Sequence, residues 1–122
     1  NYCYSCIMKR TIITYGGYFE RFMMTLNAAE RRKIDYILSL LESGDRVPVK
    51  FMRLIRDGLY ELRMEFGGNC YRIFFIFDEG NIVVLFNGFS KKSQKTPQKE
   101  IDKAFNILKS YYADKRSSDK EL

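Results

Sequence analysis

The chain has 122 residues, 46% of them hydrophobic and including ten Phe and nine Tyr, which suits one modest core and excludes a disordered chain. Lys and Arg number 21 against 15 Asp and Glu, and the resulting formal charge of +6 favours an anionic partner such as nucleic acid or an acidic protein. Histidine is absent, so the commonest general base and the commonest metal ligand are excluded together.

The three cysteines are Cys3, Cys6 and Cys70; one C-x-x-C without a second pair is too little for a structural zinc site. The absence of a cysteine framework fits a reducing, cytoplasmic setting. No metal and no cofactor is called for. No run of eighteen apolar residues suggests a membrane span, and the opening NYCYSCI has neither the basic nor the apolar region of a signal peptide. Residues 1–7 read as an N-terminal extension, 8–113 as a single domain and 114–122 as a polar, frayed tail.

In chain order, Arg10–Tyr15 (RTIITY) is β-branched and ends at Gly16-Gly17, which predicts a strand. Phe19, Phe22, Met23 and Leu26 then mark one face of a helix. Asn27 and Glu30 have capping-box spacing for a second helix, whose buried stripe is Ile34, Ile37, Leu38 and Leu41 and whose stop is Gly44. Arg31, Arg32 and Lys33 fall on its polar side, as a solvated face.

Leu59–Phe66 (LYELRMEF) changes period: Tyr60, Leu62, Met64 and Phe66 share one side, and Glu61, Arg63 and Glu65 the other. After the turn signal Gly67-Gly68-Asn69, Cys70–Phe77 (CYRIFFIF) is apolar on both sides; Asp78–Asn81 turns the chain into Ile82–Phe89. Thr96-Pro97 resembles an N-cap followed by proline at the first helical position, with Ile101, Ala104, Phe105, Leu108 and Tyr112 as the buried stripe. The order β-α-α-β-β-β-α predicts an α+β fold. Its small antiparallel twisted sheet combines an N-terminal strand with a three-stranded meander, flanked by two N-terminal helices and a C-terminal one.

Charge placement narrows the search. Arg72 interrupts an apolar strand, where an unpaired guanidinium is expensive to bury; it needs Glu61, Glu65 or an exposed groove. Lys91, Lys92, Lys95 and Lys99 follow the last strand within nine positions. Arginine forks and lysine point charges together suit phosphate.

The run GLYELRMEFGGNCYRIFFIFDEGNIVVLFNGFSKKSQKTPQKEI resembles the RelE/HigB superfamily of bacterial type II toxin–antitoxin toxins, in its phage-related HigB-like branch. The likeness spans about Met8 to Tyr112; its most specific parts are G-L-Y-E-L-R, Y-R-I-F-F and G-F-x-K-K followed by T-P. The resemblance implies a RelE-like fold and ribosome-dependent endoribonuclease activity on mRNA. It also implies a cognate helix-turn-helix antitoxin, the ribosome and mRNA as partners, and no membrane. Arg72 matches an arginine implicated in stabilising the reacting phosphate, Arg63 a basic position on the preceding strand, and Lys91 and Lys92 a basic segment after the last strand. These four are the candidate catalytic residues, with Lys95 and Lys99 as RNA-phosphate contacts. Some members use a histidine or a C-terminal tyrosine as acid or base. This chain has no histidine and carries Tyr111 and Tyr112 on the expected terminal helix, so the group that deprotonates the ribose is open. Competing readings are a non-catalytic RNA- or ribosome-binding module and a ParE-like gyrase inhibitor of the same fold.

Overall fold

Alternating and doubly apolar runs form strands here because each buried face meets a helix layer. The computed structural model describes residues 9–44, 47–93 and 95–120. Strands β1 (Thr11–Thr14), β2 (Met52–Arg56), β3 (Leu59–Phe66), β4 (Asn69–Asp78) and β5 (Ile82–Lys91) make one sheet in the order β1-β5-β4-β3-β2. Three helices accompany it: α1 (Tyr18–Met24), α2 (Ala28–Glu42) and α3 (Gln98–Lys120). The α+β class stands as expected, with two corrections. The meander has four strands, since β2 pairs antiparallel with β3, and β1 joins β5 in parallel.

Helices cover both faces of the sheet. Leu62, Met64, Tyr71, Ile73, Phe75, Val83 and Leu85 pack with Phe22, Leu26 and the α2 stripe Ile34, Ile37, Leu38 and Leu41. The opposite face carries Leu59, Phe74, Ile76, Val84 and Phe86 under Ala104, Ile107 and Leu108 of α3. β4 is therefore buried on both sides from Cys70 to Ile76, as its run of residues apolar on both sides, broken only by Arg72, requires.

Local signals account for the joins. Asn27 and Glu30 form the expected capping box, and Gly44 leaves α2 with a φ of 82°. The Arg10 amide and guanidinium donate to the Glu42 and Leu41 carbonyls, satisfying acceptors at the end of α2. A bulge in β5 between Leu85 and Gly88 shifts its register against β4. Gly88 sits where α1 crosses β5, and a Cβ there would come within 2.6 Å of the Phe22 ring.

Two expectations at the terminal helix change. Pro97, not Thr96, supplies the first carbonyl, accepting from Glu100 and Ile101. From Asp114 to Lys120 the chain is helical rather than frayed, because that turn has partners. Tyr111 donates to Asp78 at 2.5 Å, Lys115 reaches Asp78 at 2.9 Å and Glu79 at 3.0 Å, and Tyr15 donates to Asp114. The expected extension at 1–7 lies outside the described residues, as do 121–122.

The Tyr111 hydroxyl, helped by the Lys115 ammonium, holds the Asp78 carboxyl below its ordinary value. A depressed folded-state value means stability that is complete above the unfolded aspartate value of about 3.9 and is lost as pH falls through the folded one. Asp78→Asn should melt several degrees below wild type at pH 7, with the gap narrowing below about pH 4. Parallel acid limbs in circular-dichroism melts would remove Asp78 from this account.

Candidate functional site

The register of β3 and β4 places Arg63 and Arg72 directly opposite each other. Like charges in that position repel, and Arg72 is only 2% exposed. Glu61, two residues before Arg63 and so on the same face, resolves the conflict. Its fully buried Oε1 lies 3.5 Å from Arg63 Nε, 3.8 Å from Arg72 Nε and 3.4 Å from Nε of Arg53 on β2. Its Oε2 accepts a hydrogen bond from the Thr96 hydroxyl at 2.6 Å. Thr96 belongs to the lysine-bearing connection from β5 to α3, so one carboxylate ties three strands and that connection together. Three guanidinium groups against one carboxylate leave an excess of two positive charges.

The excess faces a cleft. The β2–β3 ladder ends at Met52 opposite Leu62, while β3 runs on to Phe66. Beside this overhang opens a cleft of about 470 Å³ lined by Lys33, Lys50, Phe51, Arg63, Met64, Glu65 and Arg72. Lys50 and Phe51 come from a 3₁₀ turn that precedes β2, and Lys33 from α2. Glu30 explains the placement of Lys33. Besides closing the capping box it accepts a hydrogen bond from the Tyr71 hydroxyl, fastening the start of α2 to β4 one turn before Lys33. The Tyr71 and Asn27 bonds hold the Glu30 carboxyl below its usual range, while burial and then Glu30 push the Tyr71 phenol up.

A second groove, of about 260 Å³, shares Glu65 with the first. Lys92, Phe66, Gly67, Gly68, Asn69 and Cys70 complete its lining. Lys91 pairs with Cys70 across β4 and β5, two rows from the Arg63–Arg72–Phe89 row. Of the six residues expected from sequence, Arg63 and Arg72 therefore share one cleft, Lys92 lines the second groove, and Lys91 lies two register rows from the arginines. Lys95 is exposed on the connection. Lys99 lies apart, in a groove with Tyr18, Asp102, Lys103 and Asn106.

Lys33, Lys50 and Arg53 were not anticipated, and neither was the buried role of Glu61. Tyr111 is not at the site. It bonds Asp78, six residues along β4 from Arg72 and so about 20 Å away. Burial and the Asp78 carboxylate push its phenol up to about 12.

A small α+β protein with a cationic cleft at a sheet edge is thus defined, and its family follows from comparison. The family described as phage derived protein Gp49-like (DUF891) matches residues 21–109, a span that holds every cleft residue named above. The chain belongs to this family, a family of RelE-like toxins of toxin–antitoxin modules. Among solved structures, one matching chain is from the toxin–antitoxin complex RelBE2 of Mycobacterium tuberculosis. It shares 17% identity, with a TM-score of 0.47 over 69% of this chain and 100% of that one. No curated protein matches the chain.

Glu61→Gln keeps the side chain's shape and removes its charge, leaving three guanidinium groups around a neutral amide. Loss of one partner from a buried ion cluster is expected to cost about 3–5 kcal/mol in urea unfolding. Glu65→Gln, at an exposed position, is expected to stay within about 0.5 kcal/mol. Equal, small effects of the two would show that Glu61 does not hold the cluster.

Proposed function

We propose that this toxin is a metal-independent endoribonuclease that cleaves mRNA on the ribosome and is held in check by a cognate helix-turn-helix antitoxin. One observation carries the reading: Arg63 and Arg72, opposed on adjacent strands, meet Lys33 and Lys50 from two further elements in a single cleft. Family membership supports it.

Attack of a ribose 2′-hydroxyl on the adjacent phosphate builds negative charge on the nonbridging oxygens. Guanidinium groups already fixed around Glu61 meet that charge without reorganising, which is where electrostatic stabilisation is strongest. Arg63 and Arg72 take this role. Lys91 and Lys92 anchor the RNA backbone beyond the scissile phosphate, and Lys95 extends the cationic track. Lys99, in its separate groove, stands outside it. Phe51 offers an aromatic wall within the cleft, a surface suited to an unstacked base. Decoding-site RNA and the ribosome would align the scissile bond, supplying by positioning much of what a poor set of acid–base groups does not.

Purified protein added to a translation extract should shorten translated mRNA and leave 2′,3′-cyclic phosphate and 5′-hydroxyl ends. Arg72→Ala should lower the cleavage rate about 10²–10³-fold. Lys92→Ala should mainly weaken association and flatten its salt dependence. Intact mRNA in the presence of folded wild-type protein would sink the reading. A DNA-damage response without mRNA loss would instead favour gyrase inhibition.

A further inference from the structure

Cleavage by the ribose 2′-hydroxyl requires a proton acceptor, and the chain has no histidine. Arginine in the cleft offers donors only. β3 carries two carboxylates on the face of Arg63, Glu61 and Glu65, and the fold separates their environments. Glu61 is fully buried; its Oε1 lies among three guanidinium groups and its Oε2 is taken by Thr96. It does not line the cleft, so a ribose cannot meet it.

Glu65 is placed differently. It is exposed, and it lines both the arginine cleft and the groove of Lys92. It lies two residues beyond Arg63 on the same face, in the row of Cys70 and Lys91, two rows from that of Arg63 and Arg72. A phosphate held by the two arginines would have its flanking ribose beside the row that carries Glu65. Among the described residues it is the one carboxylate that lines either cavity.

We propose that Glu65 is the general base of the cleavage, a catalytic role that rests on the RNA-cleaving reading above. The Glu65 carboxylate takes the proton of the 2′-hydroxyl as the 2′-oxygen bonds to phosphorus. The bond from phosphorus to the 5′-oxygen breaks, and the departing 5′-oxygen takes a proton from water. The proton on Glu65 then returns to solvent. The substrate is single-stranded RNA with a free 2′-hydroxyl at the cut. Glu61 and Glu65 thus divide the work: one carboxylate positions the cations, and the other moves the proton.

The test is single-turnover cleavage of a short mRNA on purified ribosomes by wild type, Glu65→Gln and Glu65→Asp across pH, with ribosome pelleting as a binding readout. Glu65→Gln should slow cleavage about 10²–10⁴-fold while pelleting at least as well as wild type. It should also lose the rise in rate that marks ionisation of a carboxylate base. Glu65→Asp should keep that rise at a lower rate. Should the Gln variant fail to fold, the pH profile of the Asp variant against wild type decides. Cleavage by Glu65→Gln within threefold of wild type, with the same pH profile, would overturn the role and leave the RNA-cleaving reading intact. Failure of wild type itself to cleave would overturn that reading and this role with it.

Discussion

Two arginines that face each other across a strand pair are the constraint around which this molecule is arranged. Arg63 and Arg72 repel, and one of them is almost wholly removed from water. Glu61 makes the arrangement tolerable without making it neutral. A second buried carboxylate would satisfy the cluster and leave little attraction for an outside anion. None at all would leave three mutually repelling guanidinium groups with nothing to hold them together. The single carboxylate between these extremes lets the sheet form and still leaves positive charge at its edge.

The surrounding elements turn that charge into a cleft. β2 starts late enough for β3 to overhang it, and the turn before β2 delivers Lys50 and Phe51. Glu30 joins α2 to Tyr71, which brings Lys33 to the same opening. The bulge in β5 and the close approach of Phe22 to Gly88 belong to the packing of α1 on the sheet. Each device is ordinary packing or capping, yet together they assemble cations that are far apart in the sequence.

Much of the fold was legible because its signals are local. Alternation in LYELRMEF put Leu62 and Met64 on a core face, CYRIFFIF, apolar on both sides apart from Arg72, marked a strand buried on both sides, and Asn27 with Glu30 marked a helix start. β2 escaped because an edge strand needs no one-sided pattern, and Met52–Arg56 alternates neither in sequence nor in burial. A usable signal did exist. Asp57-Gly58, both with positive φ, is the residue pair a tight hairpin favours.

The site was half legible. Arg72 was conspicuous as a charge inside an apolar strand, and pairing brought Arg63 to it. Lys33 looked like one of three solvated cations, since nothing in its own helix reveals that Glu30 is fastened to Tyr71. Thr96 carried the chemistry of an N-cap, but its hydroxyl is spent on a carboxylate 35 residues away in sequence. Lys99 sits close to Lys95 in the chain, and the start of α3 carries it to another groove. Such outcomes depend on tertiary pairing, which residue spacing does not encode.

The last helix is tethered at both of its ends. Thr96, two residues before α3, is bonded to the carboxylate among the arginines, and Tyr111 and Lys115 grip the far end of β4. A body fixed at two points cannot slide without disturbing one of them. Displacement of this strut would strain the bond by which Thr96 reaches the charge cluster.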